Sequence, residues 1–217
     1  MKIEIWSDIR CPFCYIGKTK FEKALAQFEH RDQVEISWRA FQLDPEAVTD
    51  TTISAAQSMA NRKGISLEES EEMHANATEI ASEVGLDFHF EKAVPANSMK
   101  AHQLSALAKT KGVQNEIEDA LFRAYFTEGK NIDDISTLIA IGESCGLLAA
   151  DIREVYENDL FAEEVKADQQ LAYQYGINSV PFFVLNNKYA VKGAQPVDHF
   201  LATLNGVFQE MNQSSES

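Results

Sequence analysis

Two cysteines separated by two residues, Cys11-Pro12-Phe13-Cys14, sit where one backbone pattern gives way to another. Before them, Lys2-Ile3-Glu4-Ile5-Trp6-Ser7 alternates polar and apolar, the period of a half-buried strand. After them, Phe21, Leu25 and Phe28 recur at helical spacing over 12–30. Pro12 suits a first helical position, where the N–H it lacks would have no partner within the helix. Cys11 then stands at the helix N-terminus, where free N–H groups and aligned peptide dipoles favour an anion. A thiolate, not a thiol, is the nucleophile in thiol chemistry. Cys14, within one turn, can close a disulfide with Cys11. Arg10 adds a neighbouring cation, and Glu4 and Asp8 add opposing charges.

Two other readings of the pair are weaker. Half a zinc site would need further ligands. No second Cys-x-x-Cys exists, and His30, His74, His89, His102 and His199 show no ligand spacing, so no metal is expected. Two purely structural cysteines around a proline at a strand–helix junction would be a coincidence. Three cysteines do not make a secreted disulfide framework. In a reducing compartment a close pair points to catalysis or metal binding. The third, Cys145, shares a helical face with Ile135, Leu138, Ile139 and Gly142 and reads as a small buried hydrophobe.

Residues 34–41 alternate again and predict a second strand, so the chain opens β–α–β. From about 48 to 175 it reads as almost wholly helical, with helices at 52–64, 66–84, 97–111, 115–127, 134–145, 151–157 and 160–175. Residues 181–186 and 188–192 then predict a hairpin around Asn186-Asn187. Residues 196–210 form a last helix with Val197, Phe200, Leu201, Leu204 and Phe208 on one face, and the polar tail from Asn212 to Ser217 is expected to fray. The pattern is α/β: one layered domain from 1–47 and 176–217, with 48–175 as a large all-helical insertion.

The chain holds 19 Lys plus Arg against 34 Asp plus Glu, a net charge of −15. That excludes a basic nucleic-acid footprint and argues against anionic membrane surfaces. No apolar run of signal-peptide or membrane-spanning length occurs, so a cytoplasmic location is expected.

Several stretches together resemble the DsbA-like thioredoxin family, within it the cytoplasmic FrnE-like branch. They are Ser7-Asp8 through Cys11-Pro12-Phe13-Cys14-Tyr15-Ile16-Gly17, Phe41-Gln42-Leu43-Asp44-Pro45, Asn97-Ser98-Met99-Lys100-Ala101-His102, Ala124-Tyr125-Phe126, Gly176 through Val180-Pro181-Phe182-Phe183-Val184, and Gly193-Ala194-Gln195. Arg10 departs from the pattern, which has a small or apolar residue there. The resemblance implies a thioredoxin-like fold, Cys11 as attacking thiolate and Cys14 as resolving thiol. It also implies a cis Pro181 facing the pair, with Pro12, Phe13, Val180 and Pro181 lining a substrate groove. No bound cofactor is implied, and glutathione stays open as a co-substrate. Partners would be protein or small-molecule thiols and disulfides, and a homodimer is only a base-rate expectation.

Three functions compete. A thiol–disulfide oxidoreductase or isomerase needs both thiols. A glutathione-dependent isomerase of the 2-hydroxychromene-2-carboxylate type shares the fold but carries serine at the first motif position. A redox-sensing chaperone or binding protein would tolerate loss of Cys14. Having both cysteines favours the first. Asn97 reads as the N-cap of the 97–111 helix rather than a cleft residue, and His102 as solvated or supporting rather than a general base.

Overall fold

The computed structural model describes residues 1–215; Glu216 and Ser217, part of the tail expected to fray, lie outside the described residues. Alternation delivers the first strand, β1 (Lys2–Ser7), and the helix α1 (Pro12–Gln27) follows the cysteine loop. A second strand, β2 (Glu35–Ala40), pairs parallel with β1, Ile5 opposite Trp38. The hairpin strands β3 (Phe182–Leu185) and β4 (Tyr189–Lys192) complete the sheet, β3 antiparallel to β1, giving the order β2-β1-β3-β4. Asn186 and Asn187 both take positive φ, 49° and 54°, as a two-residue hairpin turn of the favoured hand requires.

Each face of the sheet has its own cover. Ile3, Ile5, Trp38, Phe183 and Leu185 pack on α1 and the last helix, α9 (Val197–Ser215), through Phe21, Phe28, Phe200 and Leu204. Trp6, Phe41 and Val184 face the other way, onto Ala172 and Ile177. Between β2 and β3 in sequence come α2 (Ala55–Lys63), α3 (Leu67–Glu83), α4 (Met99–Thr110), α5 (Gln114–Phe126), α6 (Ile135–Ser144), α7 (Ala149–Glu157) and α8 (Ala162–Gln174). Their core is continuous with the start of α1: Cys11, Cys14, Tyr15 and Ile16 belong to it. Tyr15 stacks on Phe122 at 4.9 Å between ring centroids and on Phe88 at 5.8 Å. None of the described helices is long and apolar enough to cross a membrane.

Several boundaries differ from the periodic pattern. Residues 41–54 and 84–98 carry no helix, so the middle of the chain is less helical than expected. Helix α1 stops at Gln27 rather than 30, because Phe28 turns extended (φ −80°, ψ 123°) and buries against Phe208, on which His30 stacks. Helix α9 starts one residue later than expected and runs past 210, so Asn212 continues the helix rather than fraying. Strand β3 is shorter than 181–186: Pro181 has no N–H to give, and its carbonyl accepts from Gly193 N at 2.8 Å.

Helix α8 is fastened to the second face of the sheet by charge. Arg39 on β2 reaches Glu4 on β1 (Nε–Oε1 3.0 Å) and Asp168 on α8 (Nη1–Oδ1 2.8 Å). Asp168 also accepts from Ala40 N at 3.0 Å, and its carbonyl accepts from Trp6 Nε1 at 3.0 Å. Both carboxylates are largely buried, so the guanidinium is what makes their burial tolerable. Arg39→Met is expected to cost about 3 kcal/mol in urea denaturation, since it strands two buried carboxylates. Arg39→Lys recovers little, for an ammonium cannot span both partners. A loss under about 0.5 kcal/mol, the scale of an ordinary surface substitution, would show that the network does not hold α8.

Candidate active site

The site forms where the loop after β1 meets the start of β3. Cys11 is the N-cap of α1, with φ −91° and ψ 112°, and Pro12 follows at the first helical position. Cys11 N donates to the Asp8 carbonyl at 2.9 Å, and Cys14 N donates to the Cys11 carbonyl at 3.0 Å. Cys11 Sγ lies 3.7 Å from the Val180 carbonyl oxygen. The Val180–Pro181 peptide bond is cis. A Cβ at Gly17 would stand 2.8 Å from Cγ of Pro181, so only glycine lets α1 approach the proline this closely.

The two sulfurs are not equivalent. Cys11 is 5% exposed and borders a cavity, while Cys14, 1% exposed, lies behind it. Burial pushes the Cys14 thiol well up, and its hydrogen bond and charge interaction with Cys11 push it further. Cys14 therefore holds its proton. Both cysteines are free thiols.

The loop that carries Cys11 is pinned by Asp8, which is fully enclosed. Its Oδ1 accepts from Arg10 N at 3.1 Å and its Oδ2 from Leu43 N at 2.8 Å. Oδ1 also lies 3.6 Å from His102 Nε2. Burial by itself raises Asp8; the His102 ring, the Leu43 N–H and the charge of Arg10 outweigh it and hold the carboxyl below the usual range. One carboxylate thus ties the cysteine loop to the chain leaving β2 and faces His102 of α4.

A cavity of about 220 Å³ opens beside Cys11. Pro12 and Phe13 form its near wall, Phe13 being 41% exposed. Leu43, Met59, Met73, His74 and Phe90 supply an apolar far wall. Burial lowers His74 to about 4, so its ring, stacked on Phe90 at 4.0 Å, is neutral near pH 7.

The structure thus brings Cys11, Pro12, Phe13 and Cys14 together with Val180 and Pro181. Two side readings are corrected and a third is narrowed. Of the two roles expected for His102, solvated or supporting, the second fits: it is buried beside Asp8, because α4 packs into the core along its length. Asn97 lies before α4, whose N-cap is Ser98. Its Oδ1 accepts from Met99 N at 2.8 Å and from Gln42 Nε2 at 2.9 Å, and its Nδ2 donates to the Pro45 and Ala47 carbonyls, so it mainly ties down the 41–50 loop. Cys145 is only partly buried: it ends α6 as the C-cap, its thiol 3.6 Å from the Glu116 carbonyl. The far wall and Asp8's role escaped the periodic reading. The one available signal was Asp8 itself, standing within the motif stretch.

Comparison with known proteins follows this geometry. The model of the DSBA-like thioredoxin domain matches residues 2–205. The crystal structure of a probable DsbA oxidoreductase from Streptomyces coelicolor is 37% identical, covering 97% of this chain and 91% of that one with a TM-score of 0.89. The uncharacterised Bacillus subtilis protein YwbO is 28% identical over 210 residues, 91% of this chain and 92% of its own. The cytosolic disulfide reductase DsbM of Pseudomonas aeruginosa, solved with GSH, is similar in fold: TM-score 0.69 at 15% identity, covering 96% of this chain and 100% of that one.

Asp8→Asn is expected to cost about 1–3 kcal/mol at neutral pH, the scale of a weakened buried hydrogen-bonded group. The folded value of Asp8 lies below the unfolded one, so its charge stabilises fully above the unfolded value and ceases to do so as pH falls through the folded one. The gap between wild type and variant, measured by chemical denaturation, should therefore narrow once pH drops below about 3.9. A gap that does not change with pH would mean the Asp8 charge contributes nothing.

Proposed function

Because the chain belongs to the DsbA-like thioredoxin domain family, we propose that it is a thiol–disulfide oxidoreductase working through Cys11 and Cys14. The observation that carries this reading is the asymmetry of the two sulfurs: Cys11 at a helix N-terminus on a cavity wall, Cys14 enclosed and protonated behind it. In the reductive direction the Cys11 thiolate attacks one sulfur of a substrate disulfide and expels the other as a thiolate, which takes up a proton. The product is a mixed disulfide at Cys11. Cys14 then gives up its proton, attacks Cys11 Sγ and releases the second substrate thiol. Two electrons pass from the dithiol to the substrate, and a Cys11–Cys14 disulfide remains. The reverse sequence oxidises a substrate dithiol.

Neither direction calls for a bound cofactor, and glutathione serves in this scheme as a thiol partner. The Val180 carbonyl beside Cys11, and the Pro181 ring next to it, supply backbone against which an extended substrate segment would lie. The net charge of −15 argues against nucleic acid as a partner.

The test is equilibration in graded glutathione buffers, with free thiols trapped by alkylation and read by mass spectrometry. A reversible Cys11–Cys14 disulfide is expected, with a potential between about −120 and −270 mV, the span of known exchange proteins. If the pair never closes, or Cys11 only collects a glutathione adduct, the dithiol reading fails and the glutathione-dependent isomerase takes its place.

A further inference from the structure

The cavity beside Cys11 has an electrostatic character opposite to the rest of the molecule. Arg10, Arg62 and Lys63 line it, in a chain whose net charge is −15. Arg62 and Lys63 stand in the last turn of α2, where cations also complement the helix dipole, so by themselves they mean little. Arg10 has no such excuse. It sits on the cysteine loop, and its Nε and Nη1 are buried with no hydrogen-bond partner in the protein. Arg10 as a whole is partly buried. Arginine keeps its charge at any ordinary pH, and guanidinium donors buried without a partner are costly. The charge of Asp8 acts on Arg10, but both Asp8 oxygens accept backbone N–H groups, Leu43 N and Arg10's own N, and no hydrogen bond joins Asp8 to the guanidinium; Asp44 is the one acidic residue of the cavity wall.

Tyr125 lines the same cavity as Arg10 and Arg62. Burial raises its phenol, and the charge of Arg10, a hydrogen bond from Arg10 and the charge of Arg62 pull it back. Apart from Asp44 and Ser58, the remaining wall is largely apolar, with Leu43, Met59, Met73, Phe90 and the neutral ring of His74. A cavity of about 220 Å³ suits a small molecule rather than a folded chain. Its occupant needs an apolar body, an anionic end for Arg10 and a sulfur within reach of Cys11.

We infer that this cavity binds small disulfides carrying a carboxylate, with Arg10 as the anion-recognising residue. The inference rests on the oxidoreductase reading above and narrows its substrate class. A carboxylate can accept from an unused N–H group of a guanidinium in a charge-assisted, directional contact. The substrate disulfide is then reduced by the dithiol: one substrate thiolate leaves as Cys11 bonds to its partner sulfur, the second leaves as Cys14 bonds to Cys11, and each takes up a proton.

Three disulfides of similar size separate charge from reactivity: 3,3′-dithiodipropionate (anionic), bis(2-hydroxyethyl) disulfide (neutral) and cystamine (cationic). The reduced protein is mixed with each, and oxidation of the Cys11–Cys14 pair is followed by stopped-flow and alkylation. The field of an acidic chain draws in cations and repels anions. Wild type is nevertheless expected to react about tenfold faster with the dipropionate than with cystamine, a difference of about 1.4 kcal/mol. Arg10→Met should abolish that ratio, and Arg10→Lys should keep part of it. Arg62→Gln with Lys63→Gln, at exposed positions that folding tolerates, should lower the ratio about two- to threefold, the scale of screened rim charges. If cystamine reacts as fast as the dipropionate, or faster, the cavity inference is overturned while the oxidoreductase stands. A ratio unchanged in Arg10→Met overturns it too. If none of the three oxidises the pair, the oxidoreductase reading falls, and the inference with it.

Discussion

Everything in the site depends on Cys11 Sγ meeting the Val180 carbonyl, a contact between residues 169 positions apart in sequence. Neither end can make it alone. The β1–α1 loop must deliver Cys11 to the N-terminus of α1, and the start of β3 must arrive from the far side of the helical block. Parallel pairing of β1 with β2 and antiparallel pairing of β1 with β3 bring the two together at one end of the sheet. The Arg39 network holds α8, the last helix before Val180, against the same sheet. Gly17 removes the one side chain that would keep α1 off Pro181.

The helical block does more than fill the interval between β2 and β3. It shares a core with the first turns of α1 through Tyr15, Phe88, Phe122 and Phe126, so the helix bearing Cys14 is braced on its inner side by rings. The same block supplies the far wall of the cavity, from α2 and α3, and His102, which faces Asp8. Burying Asp8 beneath the cysteine loop would be unfavourable if its oxygens were not already committed. Because they are, a carboxylate close to the thiols serves as a fixed anchor for the loop.

The framework and the reactive pair could be read from residues alone, and the pocket could not. Strand alternation in β1 and β2, the hairpin around Asn186-Asn187 and the cysteine junction are all local signals, set by neighbours a few positions apart. Helix ends were less legible where tertiary packing decided them, as at Phe28, whose burial against Phe208 ends α1 early. Arg10 stood out only as a departure from the family pattern. Its meaning depends on Tyr125, Arg62 and Phe90, scattered between 52 and 115 positions away in the chain, and no spacing rule connects them. His102 could be narrowed no further than solvated or supporting for the same reason: nothing in its helix period told that Asp8 lay opposite.

The division of labour between the two sulfurs is tested most directly by trapping. Cys14→Ser and Cys11→Ser, each fully reduced, would be exposed to a limiting small disulfide, quenched with acid and examined by intact mass. With Cys14 gone, a stable mixed disulfide should accumulate at Cys11. With Cys11 gone, the enclosed and protonated Cys14 should form an adduct at least about a hundredfold more slowly, since a thiol must lose its proton to attack. Equal rates of adduct formation in the two variants, or faster capture at Cys14, would contradict the assignment of Cys11 as the attacking thiolate.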